Sequence, residues 1–228
     1  MLTNFAEIKK EKDEKCAELG RKPEDVTLIA VSKTVGLDEV AVAISQGAID
    51  FGENRPEELC RKAQAFPDAN WHFIGNIQSR QIKNIVPHAA LIHSLSKIDH
   101  AKKIDRTAGE IGKVQKVLIE VNVSGEESKS GVSKEELPAF LEEMKELSNV
   151  EVCGLMTMAP IEDEAHADLP SADEVFKRAH DLLEATKSHA GENFRELSAG
   201  MTNDWPDGIK NGSTFIRVGR AIFDPKLF

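Results

Sequence analysis

Eight short runs of β-branched and apolar residues recur along the chain, each followed by a longer segment with helical spacing. They lie near Val26–Ser32, Ile49–Phe51, Trp71–Ile74, Leu91–Ser94, Lys116–Val121, Val150–Met156, Arg195–Ser198 and Phe215–Val218. Alternating strand and helix periodicity is the pattern of repeated βα units. Eight such units in 228 residues predict an α/β fold, a single (β/α)8 TIM barrel over residues 1–228. A doubly wound open sheet is the structural competitor, because periodicity does not reveal closure. Its usual nucleotide fingerprints, a strand–GxGxxG–helix unit or a P-loop lysine motif, are missing.

The helical segments carry their own punctuation. In Lys134–Ser148 the residues Leu137, Phe140, Leu141, Met144 and Leu147 form one apolar stripe. Ser133 and Glu136 have capping-box spacing at its start. Asn54-Arg55-Pro56-Glu57 predicts a similar start, with Asn54 as cap, and Gly47 suits a helix C-terminus before the second strand. An extra helix near Thr3–Leu19, ending at Gly20, precedes the first strand and is expected to pack on the barrel within residues 1–22. Ala159–Asp173, rich in acidic and small residues, reads as a long surface loop.

Charge and composition narrow the function classes. With 29 Lys+Arg against 39 Asp+Glu the net charge is −10, which argues against nonspecific binding to nucleic acid or an anionic membrane. Three cysteines, Cys16, Cys60 and Cys153, are too few and too far apart for a disulfide framework or a CxxC metal pair. The longest near-continuous apolar stretch, Val26–Val31, is far short of the roughly 20 residues of a membrane helix, and the N-terminus has no signal-peptide core. A soluble cytoplasmic protein with reduced thiols is expected. The chain has no tyrosine, so no tyrosine phenol can serve as its acid or base.

In such a barrel reactive groups come from the C-terminal ends of strands and the loops beyond them. Lys33 directly follows Thr-Leu-Ile-Ala-Val-Ser at that end of the first strand, where partial desolvation would free its amine for Schiff-base chemistry. The alternative is a rim lysine paired with a carboxylate such as Glu53. Ser198-Ala199-Gly200-Met201-Thr202 follows the seventh strand and Gly219-Arg220 the eighth, the two loops with which barrels often bind phosphate; ordinary turn chemistry is the alternative there. Alternation puts Phe215, Arg217 and Gly219 on one face of the eighth strand, and an inward guanidinium needs an acceptor. A lysine amine, an arginine and a phosphate nest together suit pyridoxal 5′-phosphate (PLP). A Schiff-base sugar-phosphate aldolase suits them less completely, since it gives Arg217 no distinct task.

At these residues the sequence resembles the YggS/PROSC family of pyridoxal-phosphate homeostasis proteins, which look like the N-terminal barrel of alanine racemase standing alone. The resemblance runs from about Leu28 to Asp224. It is carried by Leu28-Ile-Ala-Val-Ser-Lys33-Thr, Phe51-Gly-Glu-Asn-Arg55, Trp71-His-Phe-Ile-Gly75, Val121 through Gly131, Gly154-Leu-Met-Thr-Met158 and Gly212-Ser-Thr-Phe-Ile-Arg-Val-Gly219. It implies PLP as cofactor, held as a Schiff base on Lys33. It further implies Arg217 at the pyridine nitrogen, Asn54, His72 and Met156 near the ring or its lysine, and a phosphate site from Ser198, Thr202 and Gly219, with Met201 also among the cofactor-binding residues. Bland alternatives are that Asn54 caps its helix, that His72 is a buried hydrogen-bonded histidine and that Met156 fills the barrel. Arg220 stands where the family commonly has a small hydroxyl residue and is expected to act as a second positive donor. Gln81 stands where the family usually has Lys, so no role of that lysine carries over.

Two function classes compete. A carrier would bind PLP and support its intracellular supply without turnover, with PLP-dependent apo-enzymes as candidate recipients. An enzyme, such as an amino-acid racemase, needs an acid/base group on each face of the substrate carbanion. In the resembled racemase the group opposite the lysine is a tyrosine from a second domain of the partner subunit, and this sequence offers neither. The carrier reading is preferred, and a monomer is expected.

Overall fold

The structure is a computed structural model, and residues 3–124, 130–160, 168–224 and 226 are described. Eight strands, β1 (Thr27–Val31), β2 (Asp50–Glu53), β3 (Asn70–Phe73), β4 (Leu91–Leu95), β5 (Gln115–Glu120), β6 (Val150–Met156), β7 (Glu196–Ser198) and β8 (Phe215–Val218), close into one barrel in sequence order. Every neighbouring pair is parallel. Closure through the β1–β8 pair, with Thr27 opposite Phe215 and Ala30 opposite Val218, decides against the open sheet.

Helices follow every strand: α2 (Leu37–Ser45), α3 (Pro56–Ala65), α4 (Ile82–Ile85), α5 (Ile98–Glu110), α6 (Leu137–Met144), α7 (Ala172–Thr186), α8 (Trp205–Lys210) and, after the last strand, the short α9 (Arg220–Phe223). The extra helix α1 (Phe5–Glu18) is tied to the end of the chain by the Asn4 N–H donating to the Ile222 carbonyl at 2.9 Å. Arg21 completes the attachment by donating to the Ile209 and Ser213 carbonyls at 2.8 Å each, at the carbonyl-rich end of α8. No described helix is long and apolar enough to cross a membrane.

Strand alternation sorts the core into two regions. Ala30, Phe51, Trp71, Phe73, Ile92, Val117, Ile119, Leu155, Leu197, Ile216 and Val218 face the helices and join the main core. Leu91, Leu118, Cys153 and Met156 pack with Phe215 in a separate cluster inside the barrel. Gly154 lies at a shift of register between β5 and β6 and has φ +156°; a Cβ there would sit 1.9 Å from the Glu196 carbonyl oxygen, so only glycine lets β6 approach β7 this closely.

Local readings of the helix starts differ in detail. The Ser133–Glu136 box forms, with the Glu136 N–H donating to Ser133 Oγ and the Ser133 N–H to Glu136 Oε2, but it closes a turn and the regular helix begins at Leu137. Arg55, not Asn54, is the N-cap of α3, and no side chain caps that helix. Gly47, at φ +94°, ends the α2 segment as expected. The loop after β6 ends at Ser171, whose Oγ accepts from the Glu174 N–H and so caps α7; residues 161–167 of that loop, and 125–129 of the Val121–Gly131 motif, lie outside the described residues.

A buried ion pair ties α3 to the barrel. Lys62 Nζ donates to Glu53 Oε1 at 2.5 Å and to the Ser32 carbonyl at 2.7 Å, while Ser32 Oγ donates to the same carboxylate oxygen at 2.7 Å. Both charged side chains are fully buried. Removing one partner strands the other charge, whereas removing both is far milder. Lys62→Met should therefore lower unfolding stability by about 3–5 kcal/mol, and adding Glu53→Leu should recover most of it. Urea midpoints of the three proteins check this; equal midpoints for wild type and Lys62→Met would refute it.

Candidate functional site

The C-terminal ends of the strands gather most of the expected residues. Lys33 lies two residues past the end of β1, is exposed, and its amine makes no hydrogen bond or ion pair with the described residues. The structure thus departs from both sequence expectations for it. The amine is not desolvated at the rim, and Glu53 pairs with Lys62 instead of with Lys33. An exposed, unpaired amine is open to an incoming electrophile. Asn54 is exposed just past β2, with a side chain that no helix cap engages. Arg55 reaches the Lys33 carbonyl at 3.5 Å across the same rim.

Arg217 points into the barrel from β8 and is 5% exposed. Its Nη1 donates to Ser198 Oγ at 2.6 Å and its Nη2 to the Thr157 carbonyl at 3.1 Å, which pins the guanidinium between the ends of β7 and β6. Burial pushes its pKa down to about 10, with Asp204 and then Glu120 opposing the shift, so it remains a cation at neutral pH. Two of its five N–H groups are engaged, and the rest have no acceptor among the described residues. The remaining donors are available to an acceptor such as a heteroaromatic nitrogen. Glu120, at the end of β5, accepts from Ser130 Oγ at 2.7 Å; burial pushes its carboxyl pKa up, against the Ser130 hydrogen bond and Arg217.

The loops after β7 and β8 converge. Gly200, at φ +100°, makes the turn out of β7, and a Cβ there would lie 2.8 Å from Trp205 Cα, so the loop folds back only with glycine. The half-buried Thr202 hydroxyl has no partner among the described residues, and Arg220 Nη2 lies 3.5 Å from Asn203 Oδ1, which joins the two loops. Gly219 is the N-cap of α9, and its α-carbon packs so near β1 that a Cβ would sit 3.2 Å from the Val31 carbonyl oxygen. Two of the expected anion donors are otherwise occupied. The Met201 N–H donates to Asp204 Oδ1 at 2.5 Å, and Met201 offers only an exposed side chain. The fully buried Ser198 hydroxyl is held by Arg217 on one side and by His93 Nδ1, at 2.9 Å, on the other.

His72 lies on β3 and Met156 ends β6. His72, 3% exposed, faces the barrel interior, with Nδ1 at 2.9 Å from His93 Nε2 and Nε2 at 3.0 Å from Asp50 Oδ1. Met156 packs on Leu91, Leu118 and Cys153. The bland alternatives therefore describe both side chains. Sequence reasoning missed His93, Asp50, Glu120 and Asp204. Strand alternation in Leu-Ile-His-Ser-Leu could have put His93 inward, but its partners lie 21 and 105 residues away. His93 is held neutral by burial first, then by His72 and Arg217.

Among the described residues no group of three or more His, Cys, Asp or Glu could hold a metal ion. The donors fit PLP instead. A free amine follows β1 and a buried guanidinium with two of its donors engaged lies on the adjacent β8, and a hydroxyl, a glycine N-cap and a second arginine meet at the last two loops.

Comparison with known proteins places the chain. The family described as alanine racemase, N-terminal domain, matches residues 14–225. A pyridoxal phosphate homeostasis protein of Synechocystis is 35% identical over 210 residues, covering 90% of this chain and 94% of that protein. The solved structure of PipY from Synechococcus elongatus with PLP bound superposes with a TM-score of 0.78 at 32% identity, over 93% of this chain and 99% of that one. Alanine racemase from Corynebacterium glutamicum shares the fold, with a TM-score of 0.73 at 17% identity, and this chain covers 60% of it. With a barrel that matches the racemase's and relatives that match along nearly their whole length, the chain belongs to the family of pyridoxal phosphate homeostasis proteins, within the alanine racemase N-terminal domain family.

Proposed function

We propose that this protein binds PLP covalently through Lys33 and serves its intracellular supply, without turnover of its own. The observation that carries the reading is the pairing of an exposed, unpartnered amine at the end of β1 with a buried, incompletely matched guanidinium on β8, the adjacent strand. The PLP bound in PipY and the names of the curated relatives support it. When bound, PLP supplies an aldehyde for an amine and a ring that withdraws electrons. Arg217 would donate to the ring nitrogen, which keeps that nitrogen largely unprotonated and the ring a weak electron sink. Thr202, Gly219 and Arg220 would hold the phosphate, and Asn54 would flank the lysine. Ser198, Met201, His72 and Met156 would support these contacts from beneath or beside the mouth.

The carrier reading is favoured over a racemase by what the residues are already doing. No tyrosine exists in the chain. Both interior histidines have both ring nitrogens engaged, so neither is free to take a substrate proton opposite Lys33. We further propose that the chain acts as one monomeric unit with residues 1–22 packed on the barrel. A reducing cytoplasm suits its three unpaired cysteines, and apo-enzymes that need PLP would be the recipients.

Three experiments bear on this. Wild-type protein mixed with PLP and reduced with borohydride should carry one pyridoxal phosphate adduct, on the peptide containing Lys33. Lys33→Ala should lose both the adduct and the visible absorption with its circular dichroism unchanged; an adduct that persists on another lysine refutes the assignment. Arg217→Gln should raise the PLP dissociation constant roughly tenfold to a hundredfold, the worth of a hydrogen bond to a charged group, in an absorbance titration. Finally, the PLP-loaded protein in deuterated water should exchange the α-proton of alanine no faster than free PLP does, by NMR; catalytic exchange would favour the enzyme.

A further inference from the structure

A row of polar groups, buried from Arg217 to His72 and ending at the half-buried Asp50, crosses the barrel interior. From β8 to β2 it reads Arg217 Nη1 to Ser198 Oγ, 2.6 Å; Ser198 Oγ to His93 Nδ1, 2.9 Å; His93 Nε2 to His72 Nδ1, 2.9 Å; and His72 Nε2 to Asp50 Oδ1, 3.0 Å. Ser198 and His93 are fully buried. Asp50 opens the N-terminal end of β2, where it borders a cavity of about 430 Å³ between α1 and the barrel floor, shared with Lys9, Lys12, Asp13 and Glu24. Asn70 Nδ2 also donates to Asp50 Oδ1, at 3.1 Å.

Counting donors gives the row a direction. Arg217 can only donate and an ionised Asp50 can only accept. With His72 neutral, it then presents Nε2–H to Asp50 and leaves Nδ1 as acceptor. His93 must in turn present Nε2–H to His72 and leave Nδ1 as acceptor, so the Ser198 proton points at His93. This assignment satisfies every link with both imidazoles neutral. The reverse order would set a ring lone pair against the Asp50 carboxylate. The two tautomers are therefore not independent, because the floor carboxylate sets both.

We propose that Ser198, His93, His72 and Asp50 are positioning residues for Arg217, forming a one-way hydrogen-bond line that fixes the plane of its guanidinium from the barrel floor. The inference rests on the PLP reading above, since the donors so aimed are those Arg217 would turn to the pyridine nitrogen. It assigns Ser198 the orienting of an arginine, because its single proton is committed to His93 and cannot also go to phosphate. It gives His72 a task at a distance from the ring. Neighbouring bonds in such a line polarise one another, so a change at the far carboxylate reaches the mouth without any backbone movement.

The test uses the full chain labelled with ¹⁵N-histidine, free and with PLP. In the free wild type, long-range ¹H–¹⁵N spectra should show His72 and His93 both neutral with the proton on Nε2. In Asp50→Asn the amide can turn its NH₂ toward His72, so both rings should shift toward the Nδ1–H tautomer together, and the PLP dissociation constant should rise about threefold to tenfold, as expected for coupling within a network, with the Lys33 adduct still forming. Saturating the wild type with PLP, followed by its absorbance, should move ring ¹⁵N resonances of both histidines. This last measurement needs no variant to fold. Tautomers that respond independently, or full PLP occupancy with neither imidazole shifted, would overturn the proposal. A wild type that takes up no PLP at all would instead overturn the binding reading and the ring contact with it, a result separable from the linked tautomers of the free protein.

Discussion

A guanidinium inside a closed barrel is the constraint around which the rest of this molecule is arranged. It cannot shed its proton at neutral pH, and leaving it uncompensated in an apolar interior would cost several kcal/mol. Each element that meets Arg217 answers that demand. The end of β6 supplies the Thr157 carbonyl, β7 supplies the Ser198 oxygen, and Asp204 and Glu120 supply negative potential from the loop after β7 and the end of β5. Those contacts tie together β6, β7 and β8, whose mutual pairing is otherwise short, since β7 has three residues and a single register pair joins it to β8. The same contacts engage two of its five N–H groups, so the residue that braces this side of the barrel also keeps donors available to a ligand.

Net charge gives no warning of this. The chain carries −10 overall, yet the mouth groups the cationic side chains Lys33, Arg55, Arg217 and Arg220 with Asp204 and Glu120. Recognition of an anionic ligand depends on local donors within a few ångströms, and charges on the outer helices are screened over a Debye length of about 8–10 Å. Asp204 shows the local balance. It takes the Met201 N–H for itself and so withdraws a donor from any anion, while its charge helps to hold Arg217 protonated. Arg220, a long cation where the family commonly keeps a small hydroxyl, lies on the opposite side of the same junction and reaches across to Asn203.

What the sequence made legible, and what it hid, divides along one physical line. Strand position and parity are local, and they sufficed for Lys33 at the end of β1, for Arg217 facing inward and for the junction of the last two loops. Pairing is not local. Glu53 is a carboxylate that strand position offers to Lys33, but α3 brings Lys62 onto it instead. Asn54 has the right chemistry for a cap, yet the chain is still extended at Arg55 and the helix starts one residue too late for it. The interior row from Asp50 to Arg217 draws on β2, β3, β4, β7 and β8, so only closure of the barrel brings its members together. The exposure of Lys33 was hidden for a related reason, since how deep a rim residue sits depends on the length and path of loops whose register no periodicity encodes.

That exposure bears on the choice between carrier and enzyme more directly than any missing residue. Electrostatic catalysis gains from a dry, closed site in which fixed dipoles replace water. An exposed amine forgoes that gain, and an aldehyde held there, as proposed for Lys33, would stay within reach of water and of other amines. Under the proposed reading, transfer to a recipient would require a second amine or water to reach the site at Lys33, so the access that weakens catalysis is what transfer would need. The buried half of the site works in the other sense. Arg217 is already held by Ser198 and the Thr157 carbonyl without a ligand, so little ordering would remain to be done on binding, and under the proposed reading affinity for the ring would coexist with ready exchange at the lysine. A site rigid below and open above is suited to keeping a reactive aldehyde bound while leaving it available.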